Sequence, residues 1–270
     1  MSDLLHLNTN YYVNPNGLAF DFRDNSEITL IKFLGYEVKQ KPIEHLLRFW
    51  KTLSRKLAGS DCNIVIVTDR GNNRHYIANY FGIENVCNNV WELSKLLNDK
   101  IYLNSKTKRC IVFADCGGTI PAILSSTIVK YHSINVTTPY LTIVGSENEF
   151  DTNQYTLWYS RELCVEIYHD AQEFRDYYDT LQYYDRYTQE PDSLLNMHWA
   201  SNVKGTDLYF RNRANQLPKR SNITITDHVL PAHIEGHNLT KYLWANKQYQ
   251  GLLKQQLLIQ KGYLDTVTKL

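Results

Sequence analysis

The chain has 270 residues, a formal net charge of +1 and 43% hydrophobic residues. This length suits a single α/β domain. The near-neutral net charge excludes binding to nucleic acid or to an acidic membrane surface through an overall positive charge. The five cysteines show no C-x-x-C spacing and no histidine cluster, so they indicate reduced thiols in a cytoplasmic protein without a bound metal or other cofactor. No signal peptide and no membrane span are expected.

The first hundred residues alternate between patterns typical of strands and of helices. Residues 62–68 (CNIVIVT) are almost continuously apolar, as expected of a parallel strand that is buried on both faces. A proline near the start and four apolar residues on one face favour a helix that begins at Lys41-Pro42. The predicted elements are strands at 18–22, 27–34 and 62–68 and helices at 41–57 and 88–98.

The second half of the chain is less regular. Strands are predicted at 139–145, 207–211 and 222–226, and a long helix is predicted from 238 to beyond 259. The tyrosine-rich segment 152–202 is interpreted as a lid or insertion within one domain that spans 1–270. The order of strands and helices favours an α/β fold with a mostly parallel sheet flanked by helices.

Residues 110–120 (CIVFADCGGTI) carry the pattern that most directly indicates chemistry. A short apolar strand ends in a turn of small residues, and a helix is predicted from 120 to 131. This is the pattern of a nucleophile elbow, in which the residues two before and two after the nucleophile must be small. Ala114 and Gly118 flank Cys116 in this way, and a helix N-terminus favours a thiolate there. The alternative interpretation is an ordinary buried cysteine.

The strand order, the elbow at Cys116 and a Gly236-His237 pair before the last helix resemble the α/β-hydrolase superfamily, over residues 18–259. The resemblance implies an α/β-hydrolase-like fold with nucleophile, acid and histidine in that chain order. A cysteine at the elbow resembles dienelactone hydrolases and polyhydroxyalkanoate synthases. The stretch around His237 and the strand at Ile64 with its Asp69 loop resemble, in pattern rather than in a specific motif, O-acetyltransferases of bacterial capsule loci.

The resemblance implies that His237 acts as the base, with His228 and His233 as rival positions. It also implies an oxyanion hole built from the N–H of Gly117 and an N–H of the loop at Gly71. Arg70 and Arg74, in the same loop, are candidates for holding an anionic substrate, and a solvated loop pair is the alternative interpretation.

The third member of the site stays open, because no Gly-x-x-Asp follows the strand predicted at Leu208. Asn215 could orient the histidine, as an asparagine does in Cys-His-Asn sites. Glu147, in the acidic loop after the strand predicted at 139–145, could serve instead. The remaining carboxylate candidates are Glu149, Asp151, Asp227 and Glu235.

Three functions are compatible with these residues. The first is a cytoplasmic O-acyltransferase or esterase/thioesterase with a Cys-His site, transferring from a donor such as acetyl-CoA to a small-molecule or glycan acceptor, as in surface-polysaccharide synthesis. The second is a non-catalytic member of the same fold that binds a protein partner in a surface-glycan or secretion system. The third follows from 113–120, which resembles the D-x-D-G-T opening of haloacid-dehalogenase phosphatases, with Gly117 in place of the second aspartate.

Overall fold

The computed structural model describes residues 8–35, 41–59, 61–68, 83–126, 128–138, 193–204, 208, 211–212, 214–215 and 222–267. Eight strands within these ranges form one sheet in the order β1-β2-β4-β3-β5-β6-β7-β8. β2 pairs antiparallel with β1 and β4, and the other pairs are parallel. The strands are β1 (Tyr11–Asn14), β2 (Leu18–Asp21), β3 (Ile28–Phe33), β4 (Asn63–Val67), β5 (Arg109–Asp115), β6 (Ser133–Thr137), β7 (Leu194–Ala200) and β8 (Ile223–His228).

Helices cover both faces of this sheet. One apolar core lies between the sheet and α1, α4 and α5, and a second lies between the opposite face and α2 and α3. None of the described helices is long and apolar enough to cross a membrane. The helices are α1 (Ile43–Ala58), α2 (Val90–Asn98), α3 (Thr119–Ser125), α4 (Leu239–Ala245) and α5 (Gln248–Val267).

The fold class predicted from the sequence, a mostly parallel α/β sheet flanked by helices, is confirmed. The predicted strands at 18–22, 27–34 and 62–68 are β2, β3 and β4. The helix predicted at 41–57 is α1, which begins after Pro42 and ends where Gly59 takes the left-handed conformation (φ 63°). Glycine is the residue that adopts this conformation without steric cost.

The C-terminal helical region is divided, where the sequence predicted one helix. Lys247 has a positive φ of 59° and separates α4 from α5. Because a lysine in this conformation cannot continue a right-handed helix, the chain changes direction there. Across this break α4 and α5 contact each other, and α5 also packs against α1 and β5.

Three predicted elements differ from the structure. The segment 207–211 is not a strand, since Leu208 and residues 211–212 are helical. Strand β7 lies within the stretch 152–202 that was predicted as a lid, so its residues belong to the sheet. The helix predicted at 120–131 ends at Ser125, and β6 follows it. The strand predicted at 139–145 and the rest of the predicted lid, up to 192, lie outside the described residues.

Candidate functional site

Cys116 occupies a tight turn between β5 and α3. Its φ of 49° lies in the left-handed region, which residues with a Cβ rarely adopt. A single 3-10 turn, Cys116–Gly118, leads from the strand into the helix. A left-handed non-glycine residue costs of order 1–3 kcal/mol and persists where the surrounding structure enforces it. The elbow geometry predicted from the sequence is therefore present.

Close packing against the end of β3 explains why the turn needs glycine. A Cβ at Gly118 would lie 2.8 Å from the carbonyl oxygen of Phe33. A Cβ at Gly35, just past β3, would lie 2.9 Å from the Asp115 carbonyl oxygen and 3.0 Å from the Cys116 Cβ. Contacts under 3.0 Å require the backbone to move, so both glycines hold the elbow against the β3 end.

A buried ion pair lies beneath the elbow. The Nζ of Lys32 on β3 contacts the Asp115 carboxylate and donates to the hydroxyl of Tyr249 on α5 at 3.0 Å. The same Nζ lies 5.6 Å from the ring centroid of Trp50 and 5.4 Å from that of Tyr249. Burial lowers the pKa of Lys32, while the adjacent carboxylate favours the ammonium form. Aromatic faces also stabilise a cation. The pair ties β3, β5 and α5 together directly before the turn.

A cavity of about 550 Å³ opens above the elbow. This volume lies in the range of small-molecule sites, about 300–1,000 Å³. Cys116 and His237 both line it, so the structure brings together the two residues predicted as nucleophile and base. The other lining residues are Lys32, Leu34, Gly35, Lys41, His45, Leu46, Phe49, Trp50, Asp115, Thr138, Asn238, Thr240, Lys241 and Trp244.

The segment that carries His237 is held against the end of β7. The side-chain amide of Asn202 donates to the carbonyl oxygen of Ile234 at 2.9 Å. A Cβ at Gly236 would lie 2.8 Å from the Cα of Val203, so this glycine allows the two backbones to touch. A single 3-10 turn, Gly236–Asn238, then leads into α4 and places the half-buried His237 at the cavity wall.

Of the other predicted site residues, Gly117 and Asn215 lie within the described ranges. Gly117 is buried in the turn after Cys116. Asn215 is exposed and does not line the cavity. Arg70, Gly71, Arg74 and Glu147 lie outside the described residues, as do the alternatives Glu149 and Asp151.

The rival histidines and the remaining carboxylates are engaged elsewhere or exposed. Asp227 accepts from the Arg211 Nε at 2.7 Å, and Glu235 and His233 are exposed. The His228 Nε2 lies 3.1 Å from the Nδ1 of His198 on the neighbouring strand. None of these side chains lines the cavity. Of the described histidines, His45 and His237 line it.

Several residues that shape the site were not predicted from the sequence. Lys32 is a charged residue in a mostly apolar strand, and Gly35 directly follows the strand predicted at 27–34. Both residues could therefore have been recognised from the sequence as unusual for their positions. Thr138 and Asn202 could not, because the strands that precede them, β6 and β7, were not predicted. The described residues contain no group of three or more metal-ligating side chains.

The described cysteines differ in their surroundings. Cys62, Cys87, Cys110 and Cys116 are all free thiols, and Cys116 alone among them is not buried. Burial raises the pKa of Cys62 to about 12 and also raises the pKa of Cys110. A protonated, inaccessible thiol is a poor nucleophile. The cysteine that meets the cavity is thus also the accessible one of the four.

No protein-family model and no curated protein sequence matches the chain. Solved structures do match in fold. The capsule O-acetyltransferase of Neisseria meningitidis serogroup A aligns with a TM-score of 0.55 at 15% identity over 93% of this chain and 100% of that one. A histidine-to-alanine mutant of the same enzyme was solved in complex with CoA.

Esterases and serine hydrolases give similar alignments. An esterase of Thermogutta terrifontis aligns with a TM-score of 0.56 at 12% identity over 91% of this chain and 88% of that one. A fluorophosphonate-binding serine hydrolase of Staphylococcus aureus aligns with a TM-score of 0.53 at 10% identity over 90% and 96%. Together with the strand order and the elbow after β5, these alignments show that the chain has the α/β-hydrolase fold.

Proposed function

Starting from the α/β-hydrolase fold, we propose that the chain is an acyl-transfer enzyme that uses Cys116 as nucleophile and His237 as general base. The observation that carries the proposal is the left-handed Cys116 (φ 49°) at a strand–helix turn, opening onto the same cavity as His237. A strained residue at a cavity is a common mark of a reactive position. The acetyltransferase and esterase neighbours support the same general chemistry.

The proposed reaction has two half-reactions. His237 takes the proton of the Cys116 thiol, and the sulfur attacks the carbonyl carbon of an acyl-CoA thioester. The bond to the CoA sulfur breaks, and the proton passes from His237 to that leaving sulfur. In the second half, a hydroxyl of the acceptor gives its proton to His237 and attacks the acyl-cysteine. The bond between the acyl carbon and the Cys116 sulfur breaks, the product ester leaves, and the proton passes from His237 back to that sulfur.

Two backbone N–H groups are the proposed donors to the oxyanion that forms at the carbonyl carbon. Gly117 directly follows the nucleophile, where such a donor is expected. The second donor in this arrangement comes from the loop after the third strand, which here begins at Leu34. The N–H of Leu34 already donates to the Val67 carbonyl at 2.9 Å, so we assign the role to Gly35, which touches the elbow. The predicted contribution of Gly71 stays a prediction.

The donor and the acceptor are proposed by class. A thioester of CoA is proposed because the capsule acetyltransferase neighbour was solved with CoA. Phe49, Trp50 and Trp244 give the cavity an aromatic wall, which suits an acceptor with both apolar and polar faces, such as a glycan. Catalysis by a thiol requires a reduced cysteine, which supports a cytoplasmic location.

A non-catalytic binding role is the second candidate. It is favoured by one observation: Asp115 is the single carboxylate among the described residues that line the cavity, and Lys32 already pairs with it. The same pairing weakens the phosphatase interpretation, because the first aspartate of that motif has to be free to attack a phosphate. A binding protein would keep the cavity and the fold but show no reactive thiol.

Covalent labelling tests the proposal. The protein is incubated with acetyl-CoA or with p-nitrophenyl acetate, and intact mass spectrometry followed by peptide mapping locates the acyl group. We expect one acetyl group on Cys116, formed at least about tenfold more slowly in His237→Ala because the thiol loses its base. The variant Cys116→Ala should form no adduct, and His233→Ala, which changes an exposed histidine outside the cavity, should react like the wild type.

Iodoacetamide gives a second measurement that needs no acyl donor. Cys116 should be alkylated rapidly, while the buried Cys62 and Cys110 serve as internal references and should react only after unfolding. A wild-type protein that forms no acyl adduct with either donor, and whose Cys116 reacts no faster than an ordinary exposed thiol, would support the binding role instead.

A further inference from the structure

Thr138 lies beside Cys116 at the end of the neighbouring strand. β5 and β6 are parallel, and Asp115 pairs with Thr137. Cys116 and Thr138 are therefore the first residues after two adjacent strands, which lie about 4.8 Å apart in a sheet. Both residues line the cavity. A small group bonded to the Cys116 sulfur consequently lies within reach of the Thr138 side chain.

The backbone of Thr138 is strained in the same way as that of Cys116. Its φ is 47°, and among the described residues it is the single β-branched residue with a positive φ. For a β-branched side chain this conformation is a genuine outlier. Such strain costs of order 1–3 kcal/mol and clusters at ligand-binding and active sites. The residue is thus held in a costly conformation at the cavity wall.

The hydroxyl of Thr138 has no hydrogen-bond partner among the residues that the structure describes. The residue is 2% exposed, and its Oγ1 is buried and makes no hydrogen bond within the described ranges. The backbone N–H is already used, since it donates to the carbonyl oxygen of His198 at 2.9 Å. A buried hydroxyl without a partner is unfavourable, and a valine of the same shape would avoid that cost. The hydroxyl therefore makes no hydrogen bond that stabilises the described fold, and it belongs to a residue that lines the cavity.

We propose that Thr138 contacts the substrate: its hydroxyl forms a hydrogen bond with an oxygen atom of the reacting ester group when the cavity is occupied. The inference rests on the proposed function. The oxygen belongs either to the thioester carbonyl during acylation of Cys116 or to the attacking acceptor hydroxyl during deacylation. In both cases the bond forms beside the reacting carbon, so its loss slows a chemical step.

The test compares Thr138→Val, which removes the hydroxyl and keeps the shape, with Thr138→Ser, which keeps the hydroxyl. Thr68→Val is the matched control. Thr68 also directly follows a strand, is 2% exposed, has an unpartnered Oγ1 and a bonded N–H, but does not line the cavity. Acetylation of Cys116 by acetyl-CoA and the decay of the acetyl-enzyme in water and in a glycerol solution are followed by mass spectrometry, with the Tm of each variant.

We expect Thr138→Val to slow at least one half-reaction by about tenfold or more, at an unchanged or higher Tm, with Thr138→Ser within about threefold of the wild type. Slower acylation together with slower decay identifies the acyl carbonyl oxygen, which is present in both half-reactions, as the partner, and slower decay alone identifies the attacking hydroxyl. Wild-type rates in Thr138→Val, or equal losses in Thr138→Ser or Thr68→Val, would overturn the inference. If the wild type forms no acetyl-cysteine at position 116, the proposed function fails and this inference fails with it.

Discussion

The free energy of unfolding should fall at acidic pH because of a histidine pair, His198 on β7 and His228 at the end of β8. His198 is 6% exposed, and its Nδ1 lies 3.1 Å from the Nε2 of His228. Burial, and then the neighbouring His228, lower the pKa of His198 from 6.5 to about 4. Burial also lowers the pKa of His228, while Asp227 opposes that effect. Asp227 in turn is paired with Arg211.

The sign and size of the effect follow from linkage. The unfolded chain binds a proton at His198 near pH 6.5, whereas the folded protein does so only near pH 4. The contribution of neutral His198 to the free energy of unfolding is therefore fully present above pH 6.5, and it is lost as the pH falls toward 4. At about 1.4 kcal/mol for each pH unit, the loss is about 2 kcal/mol by pH 5 and about 3 kcal/mol by pH 4. This loss is a large share of the free energy of unfolding of a typical protein, which is about 5–15 kcal/mol.

Urea unfolding of the wild type at about pH 7, 6 and 5 measures this loss, because most carboxylates have not yet titrated in that range. In His198→Gln the decline should be markedly shallower, whatever the stability at pH 7. His233→Gln changes an exposed histidine and should keep the wild-type slope. His228→Gln is the second variant if His198→Gln does not fold. If the free energy of unfolding falls with pH equally steeply in the wild type, in His198→Gln and in His228→Gln, burial does not keep His198 neutral and the prediction is wrong.

Three further predictions concern the ion pair beneath the elbow, the packing of the elbow and a glycine in α5. Lys32→Met and Asp115→Asn each leave one member of a buried pair without its partner, and each should lower the free energy of unfolding by about 3–5 kcal/mol. The double variant should lose less than the sum, and strict additivity in urea unfolding would show that the pair is not coupled. Gly118→Ala places a Cβ 2.8 Å from the Phe33 carbonyl oxygen and should cost at least about 2 kcal/mol. Gly251→Ala in α5, with no atom within 4 Å, should instead raise the free energy of unfolding by about 0.5–1 kcal/mol, and a destabilising result there would contradict the open packing around Gly251.

The elements that could be predicted from the sequence are those whose signals are local. The apolar run of β4 and the boundaries of α1 at Pro42 and Gly59 depend on residues close in the chain. The elbow was also predictable, because a turn of this kind admits only small residues around Cys116. The proposal of His237 as the base came from the resemblance, and Cys116 and His237 line the same cavity.

Strands β6 and β7 were missed because their polar residues are satisfied by other strands. The amide of Asn196 donates to Asn135 at 2.9 Å, and Asn135 donates to the Val112 carbonyl and to Ser133. Local patterning counts such asparagines against a strand. With the wrong strand assigned at 207–211, Asn215 became a candidate and Asn202 was overlooked. Thr138 could not be found at all, since its position depends on β6.

The hydrogen bond between Lys32 and Tyr249 joins positions 217 residues apart in the chain. During translation β3 and β5 are complete long before the residues of α5 leave the ribosome. Until that helix is synthesised, the ammonium group of Lys32 lacks its hydrogen bond to the Tyr249 hydroxyl. Cys116, the proposed nucleophile, is therefore synthesised well before the helix that supplies Tyr249 beneath it.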